Sequence, residues 1–122
     1  MKKIAFVAFE DNANVFTNWC SFINEHSKEH EARSFCFKEH PYRYTLEHHY
    51  NISTDSGAKK EEAKKWLSDC DYVIYSEEDQ NCYFEYSTAK MFKMVIGINP
   101  IFEPQAKKIA FYSGTAYRKK SQ

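Results

Sequence analysis

The sequence predicts an α/β fold with a four-stranded parallel sheet and helices on both faces. Four apolar runs of strand length alternate with three segments whose apolar residues recur at helical spacing. The first run, KIAFVAF at residues 3–9, is apolar almost throughout, which is typical of a strand buried on both sides. The order β-α-β-α-β-α-β favours parallel strands joined by right-handed crossovers.

The first strand leads through a polar turn at residues 10–14 into a helix predicted over 14–26. Asn12 or Asn14 can cap this helix, because a short side-chain oxygen accepts a hydrogen bond from an unpaired backbone N–H. The residues expected on its buried stripe are Val15, Phe16, Trp19, Cys20, Phe22 and Ile23.

The remaining elements follow in the same alternation. A second strand over 31–37 is expected nearer the edge of the sheet, and residues 38–57 show no clear period, as in functional or mobile loops. A helix over 58–68 should bury Ala63, Trp66 and Leu67. A strand over 71–76, a helix over 83–95 that ends at Gly97, and a strand over 108–112 complete the series.

Length and charge restrict the class of protein. The 122 residues fit one domain, residues 1–122, and 17 basic residues balance 17 acidic ones. That balance argues against a nucleic-acid-binding or membrane-surface protein, and no apolar run reaches the ~20 residues of a membrane span. The four cysteines form no CxxC pair, which favours buried thiols in a reducing, cytoplasmic compartment. A zinc site could be sought among His26, His30, His48 and His49, but the sequence has no paired cysteines and no helix that would bring these histidines together. No metal and no cofactor is therefore expected.

In a parallel sheet the carboxyl ends of all strands lie at one edge, where ligands bind. The segments that follow the predicted strands, residues 10–14, 38–44, 76–81 and 113–118, should therefore line one polar groove. These segments contain an asparagine-rich turn, a His-Pro-Tyr sequence, three consecutive acids, and Gly114-Thr115 followed by Arg118.

Three stretches of the chain resemble the N-terminal half of a GT-B glycosyltransferase. They are KIAFVAFEDNANVFTNWCSFINEH, ARSFCFKEHPYRY and IGINPIFEPQAKKIAFYSGTAYR, the last similar to the family's strand followed by Gly-Ser/Thr-x-x-Arg. The resemblance implies a Rossmann-like three-layer sandwich that supplies the acceptor side of a cleft. It also implies a nucleotide-sugar and a saccharide or other acceptor as partners, and no transfer without a second, donor-binding domain.

The resemblance gives the groove residues candidate roles, each beside a structural alternative. His40 could act as a general base or be an exposed loop histidine. Arg118 could pair with an anionic group or start a surface helix. The remaining candidates for ligand binding, which could equally be turn, capping or edge-covering residues, are Asp11, Asn12, Asn14, Tyr42, Glu77, Gly114 and Thr115. The first turn lacks glycine, which argues against close cradling of a phosphate by its backbone.

Two other functions remain open at the level of sequence. A stand-alone, non-catalytic Rossmann-like module could bind a nucleotide or a protein partner at the same edge. A receiver-like signalling domain fits less well, because Ser76, and not an aspartate, ends the third strand. The sequence leaves open whether a homodimer or a partner domain completes the site.

Overall fold

The described residues of the protein form an α/β fold with one all-parallel sheet and three helices. The structure is a computed structural model that describes residues 1–8, 15–37, 49–76, 84–101 and 103–111. Its strands are β1 (Lys2–Ala8), β2 (His30–Cys36), β3 (His49–Asn51), β4 (Tyr72–Ser76) and β5 (Lys107–Phe111). Its helices are α1 (Val15–His26), α2 (Gly57–Ser68) and α3 (Phe84–Ile96).

The predicted parallel α/β class is confirmed, but the predicted number of four strands is wrong. The fifth strand, β3, lies within the segment 38–57 that was expected to be irregular. It is only three residues long, so it is too short to produce an alternating pattern in the sequence. The other strands and all three helices lie within one or two residues of their predicted bounds.

The strands are ordered β3-β2-β1-β4-β5, and every neighbouring pair is parallel. This is the order of the first five strands of a Rossmann-like doubly wound sheet. The strand β2 lies between β1 and β3, so β3, and not β2, occupies the edge. Ile4, Phe6 and Val7 of β1 are each paired on both sides, which makes β1 the centre of the sheet.

One face of the sheet packs against α2 and α3. Ala5 and Val7 of β1 and Val73 of β4 are fully buried there. The predicted buried face of α2, formed by Ala63, Trp66 and Leu67, is confirmed. From α3 the same cluster includes Ala89, Phe92 and Ile96. This apolar cluster is the larger of the two and contributes most of the burial that stabilises the fold.

The opposite face packs against α1. Phe6 and Ala8 of β1 form a smaller cluster with Phe16 and Cys20 of the helix. The side chain of Asn24 fixes α1 to β2, since its amide donates to the Ala32 carbonyl at 2.8 Å and accepts from the Ala32 N–H at 2.7 Å. The prediction that Trp19 and Phe22 belong to the buried stripe is wrong, because Trp19 is 39% and Phe22 is 63% exposed.

Candidate functional site

The carboxyl ends of the strands meet at one edge of the sheet. The chain moves outward from β1 to β2 and β3, then returns to the other side of β1 as β4 and β5. The strand order therefore reverses between β1 and β4, where Val7 and Tyr75 are register partners. In doubly wound sheets the crevice outside this reversal point is where ligands bind. The carboxyl ends of β1 and β4 are accordingly the candidate functional site.

The residues predicted for this site all lie outside the described residues. They follow β1, β2, β4 and β5 in the chain, and they are Asp11, Asn12, Asn14, His40, Tyr42, Glu77, Gly114, Thr115 and Arg118. The predicted sheet edge itself is present, because the strands that precede these segments are parallel neighbours. That these side chains form one groove stays a prediction.

A buried polar cluster is the most conspicuous described feature of the carboxyl half of the sheet. It joins Thr17 of α1, Ser34 of β2, and His49 and Asn51 of β3. Ser34 Oγ lies 2.6 Å and Thr17 Oγ1 lies 3.4 Å from His49 Nδ1, while His49 Nε2 lies 3.1 Å from Asn51 Oδ1. Thr17, Ser34 and His49 are 4%, 1% and 5% exposed, so all three side chains of this contact are buried.

Both ring nitrogens of His49 lie within hydrogen-bond distance of other side chains. An amide oxygen such as Asn51 Oδ1 only accepts, so His49 Nε2 carries a proton and donates it. The Ser34 hydroxyl, which can donate or accept, is the partner of His49 Nδ1. The imidazole is thereby hydrogen-bonded through both nitrogens, which is the arrangement expected of a buried polar group. Since Ser34 is buried, the cluster is suited to holding β3 in place and not to attacking a substrate.

The turn from β3 to α2 continues this polar cluster toward the carboxyl edge. Asp55 Oδ2 accepts from the Asn51 backbone N–H at 3.0 Å, and its other oxygen lies 4.0 Å from Lys59 Nζ. Burial raises the pKa of the Asp55 carboxyl, although Lys59 opposes the shift. Ser56 then caps α2 by accepting from the Lys59 N–H at 3.3 Å. The end of β3 is thus held by side-chain bonds on both sides of the turn.

The thiols offer no reactive group in the described part of the chain. Cys20, Cys36 and Cys70 are buried, as the sequence predicted, and Cys82 lies outside the described residues. Burial raises the pKa of the Cys70 thiol to about 11. The Cys70 thiol donates to the Leu67 carbonyl at 3.2 Å. Such a thiol is protonated at neutral pH and is a poor nucleophile.

Within the described ranges, no three histidine, cysteine or acidic side chains are grouped as a metal site. Of the histidines considered for zinc, His26 ends α1, His30 begins β2, and His49 belongs to the buried cluster; His48 lies outside the described residues. No helix among the described residues has the length and apolar character needed to cross a bilayer.

The sequence reasoning missed the polar cluster. Ser34 gives the one available signal, since it lies between Ala32 and Cys36 on the inward-facing positions of a strand. A polar residue at such a position requires a buried partner. His49 was not identifiable as that partner, because it lies in a stretch without a period.

Comparisons with protein-family profiles, with curated proteins and with solved structures found no match for this chain.

Proposed function

We propose that the chain forms the acceptor-side domain of a GT-B glycosyltransferase. The observation that carries the proposal is the reversal of strand order between β1 and β4, since doubly wound sheets bind ligands outside the carboxyl ends of the strands at such a reversal. The stretches that resemble the family belong to this arrangement. The first contains most of β1 and all of α1, the second contains most of β2, and the last contains β5.

In this proposal the carboxyl edge binds the acceptor and a donor-binding domain supplies the nucleotide-sugar. A hydroxyl of the acceptor attacks the anomeric carbon, the bond from that carbon to the nucleotide's phosphate oxygen breaks, and a base removes the hydroxyl proton. His40 is assigned the role of this base. Arg118 is assigned to an anionic group, which its planar guanidinium can bind through two hydrogen bonds. Because transfer requires both substrates in register, the chain by itself is expected to bind acceptor without turnover.

A non-catalytic module that binds a nucleotide at the same edge is the second candidate. The observation in its favour is that α1, with 12 residues, begins at Val15 shortly after β1. The amino-terminal end of α1 is therefore directed toward the carboxyl edge of the sheet. This end of a helix carries a partial positive charge, which favours binding of an anionic group such as phosphate.

An NMR titration distinguishes the two candidates. The probes are uridine diphosphate, UDP-glucose, and the saccharides glucose, galactose and N-acetylglucosamine, each followed through backbone amide shifts. Ala8 and Ser76 report on the carboxyl edge, and Lys3 and Tyr72 report on the opposite edge. Shifts of Ala8 and Ser76 with a saccharide but not with the nucleotides support the acceptor-side domain. Shifts with uridine diphosphate alone support the nucleotide-binding module. Shifts confined to Lys3 and Tyr72, or no shifts, contradict both.

Two substitutions sharpen this test. His40→Ala should weaken binding of the neutral saccharides, and Arg118→Ala should weaken binding of an anionic saccharide, glucuronic acid, by about tenfold through loss of a charge-assisted hydrogen bond. Lys28→Ala is the matched control for Arg118, since Lys28 is an exposed cation in the turn between α1 and β2, at the opposite edge. Equal effects of Arg118→Ala and Lys28→Ala would exclude a specific anion contact by Arg118.

A further inference from the structure

The two faces of the sheet are covered unequally over β4. On the face toward α2 and α3, Val73 is 0% exposed. On the face toward α1, its neighbour Ile74 is half-buried, and Ile109, the register partner of Ile74 on β5, is 43% exposed. All-parallel sheets occur almost only with both faces covered. Among the described elements, this half of the α1 face is therefore less covered than is usual for the sheet type.

Of the described helices, α1 lies on this face, and it packs toward β2 and β3 and not over β4 and β5. Thr17 reaches His49 on β3 and Asn24 bonds to Ala32 on β2, so these residues mark the side of α1 that faces β2 and β3. Trp19 instead packs edge-on against Phe6 of β1, with ring centroids 6.0 Å apart, and remains 39% exposed.

Together these residues form an apolar strip, defined here as Ile4, Ile74 and Ile109 on the sheet with Trp19 and Phe22 along its border. Phe22 follows Trp19 by three residues on the helix, which places both on neighbouring positions of one side. Ile4 and Ile74 pack against the small cluster under α1, which confirms the face on which they lie. Three members, Trp19, Phe22 and Ile109, are among the most exposed large apolar side chains of the described residues.

Two exposed lysines lie at one end of the apolar strip. Lys2 precedes Ile4 by two positions on β1, and Lys107 precedes Ile109 by two on β5, so both lysines occupy the same face as the strip at the amino edge. Both are exposed, and neither forms an ion pair with a described side chain.

We propose that the apolar strip is a docking surface for an amphipathic helix of a partner domain with acidic residues in its last turn. Five-residue strands such as β4 and β5 are about 17 Å long, which a helix of about 11 residues spans. A helix antiparallel to the strands places the negative end of its dipole and its acidic turn over Lys2 and Lys107. This inference does not depend on the proposed function at the carboxyl edge.

The test uses two stapled 12-residue helical peptides with leucines along one face. One has glutamates in its last turn and its twin has lysines there. Binding is followed through the isoleucine methyl signals of the protein, with Ile52 and Ile98, buried on the opposite face, as internal references. The glutamate peptide should shift Ile4, Ile74 and Ile109 only, and should bind at least tenfold more tightly than its twin.

Variants separate this surface from its alternatives. Ile109→Glu should abolish binding, whereas Met94→Glu should not, since Met94 is 84% exposed on α3 at the other face. Lys2→Glu with Lys107→Glu should reverse the preference between the two peptides, which keeps the test valid if Ile109→Glu fails to fold. Equal binding of both peptides, or no methyl shifts, overturns the proposal. Self-association of the protein that Ile109→Glu removes in sedimentation also overturns it, because a second copy would then be the occupant.

Discussion

Ser34 and His49 are register partners on neighbouring parallel strands, and their side chains are joined by a hydrogen bond of 2.6 Å between Oγ and Nδ1. This contact lies in the interior, on the face of the sheet that carries the smaller cluster under α1. The strand β3 has three residues, so few ladder hydrogen bonds fix its position. The buried side-chain bond therefore specifies which residue of β3 lies opposite β2, because a shift of one residue would move the imidazole to the other face.

Substitution of Ser34 by alanine tests this role. We expect the free energy of unfolding to fall by about 1–3 kcal/mol, because the buried His49 loses its 2.6 Å hydrogen bond to Ser34. Urea denaturation measures the change. Ser27→Ala is a matched control, since Ser27 Oγ also bonds a histidine, His30 Nδ1 at 3.0 Å, but in a half-buried turn. Equal losses in the two variants would show that burial adds nothing to the Ser34 contact.

The two described glycines should respond to alanine with opposite signs. Gly97 follows α3 with a φ of +87°, and an added Cβ would lie 3.2 Å from Lys64 Nζ, so Gly97→Ala should reduce stability by about 1–2 kcal/mol. Gly57 begins α2, and an added Cβ there meets no atom within 4 Å. Gly57→Ala should leave stability unchanged or raise it by up to about 1 kcal/mol. Thermal unfolding of both variants decides, and destabilisation by Gly57→Ala would contradict the expectation.

Most of the fold could be predicted from the sequence because its long elements have strong periodicity. The apolar stripes of α2 and α3 and the apolar run of β1 each determine a type of structure without tertiary information. Gly97 was identified as a helix end, and its positive φ agrees with that role. The strand β3 could not be predicted, since its three residues are strand only through pairing with Ser34, Phe35 and Cys36.

Side-chain positions were less predictable than elements. Helical spacing assigned Phe22 to the buried stripe, but α1 packs with Thr17 inward and Phe22 outward. Helical spacing locates the buried side of a helix to within about one residue. The elements that pack against the helix then determine which residues at the border of that side are buried. The candidate groove residues follow the ends of strands in the chain. The parallel topology, which could be predicted from the sequence, is enough to place these segments at one edge of the sheet. Their mutual distances require loop geometry, which no pattern in this sequence provides.

The Cys70 thiol should resist alkylation in the folded protein. With a pKa of about 11 it is ~0.1% thiolate at pH 8, against roughly a quarter for an ordinary cysteine, so iodoacetamide should react on the order of 100-fold more slowly. Mass spectrometry of the Cys70 peptide measures the rate. The same protein in 8 M urea provides the control, where the rate should return to that of an exposed thiol. A native rate within threefold of the unfolded rate would contradict the burial of this residue.

The Asp55 carboxyl should make stability depend on pH. Burial raises its pKa in the folded protein above the usual value of 3.8. Well below pH 3.8 the carboxyl is protonated in both the folded and the unfolded protein, so its ionisation does not change the free energy of unfolding. As pH rises, the unfolded chain ionises first, which favours unfolding until the folded carboxyl has ionised as well. The wild-type protein is therefore expected to lose stability from this group as pH rises through and above 3.8.

Asp55→Asn removes this titration while it keeps an oxygen that can accept from the Asn51 N–H. We expect the free energy of unfolding of the variant to match that of the wild type at pH 3. It should exceed the wild-type value increasingly as pH rises, and the difference should be constant at neutral pH. Urea denaturation between pH 3 and pH 8 measures the difference. Asp69→Asn is the control, since the Asp69 side chain is 78% exposed and pairs with Lys3 at the surface. An Asp55→Asn variant that loses stability relative to wild type as pH rises would show that the Lys59 contact outweighs burial at this carboxyl.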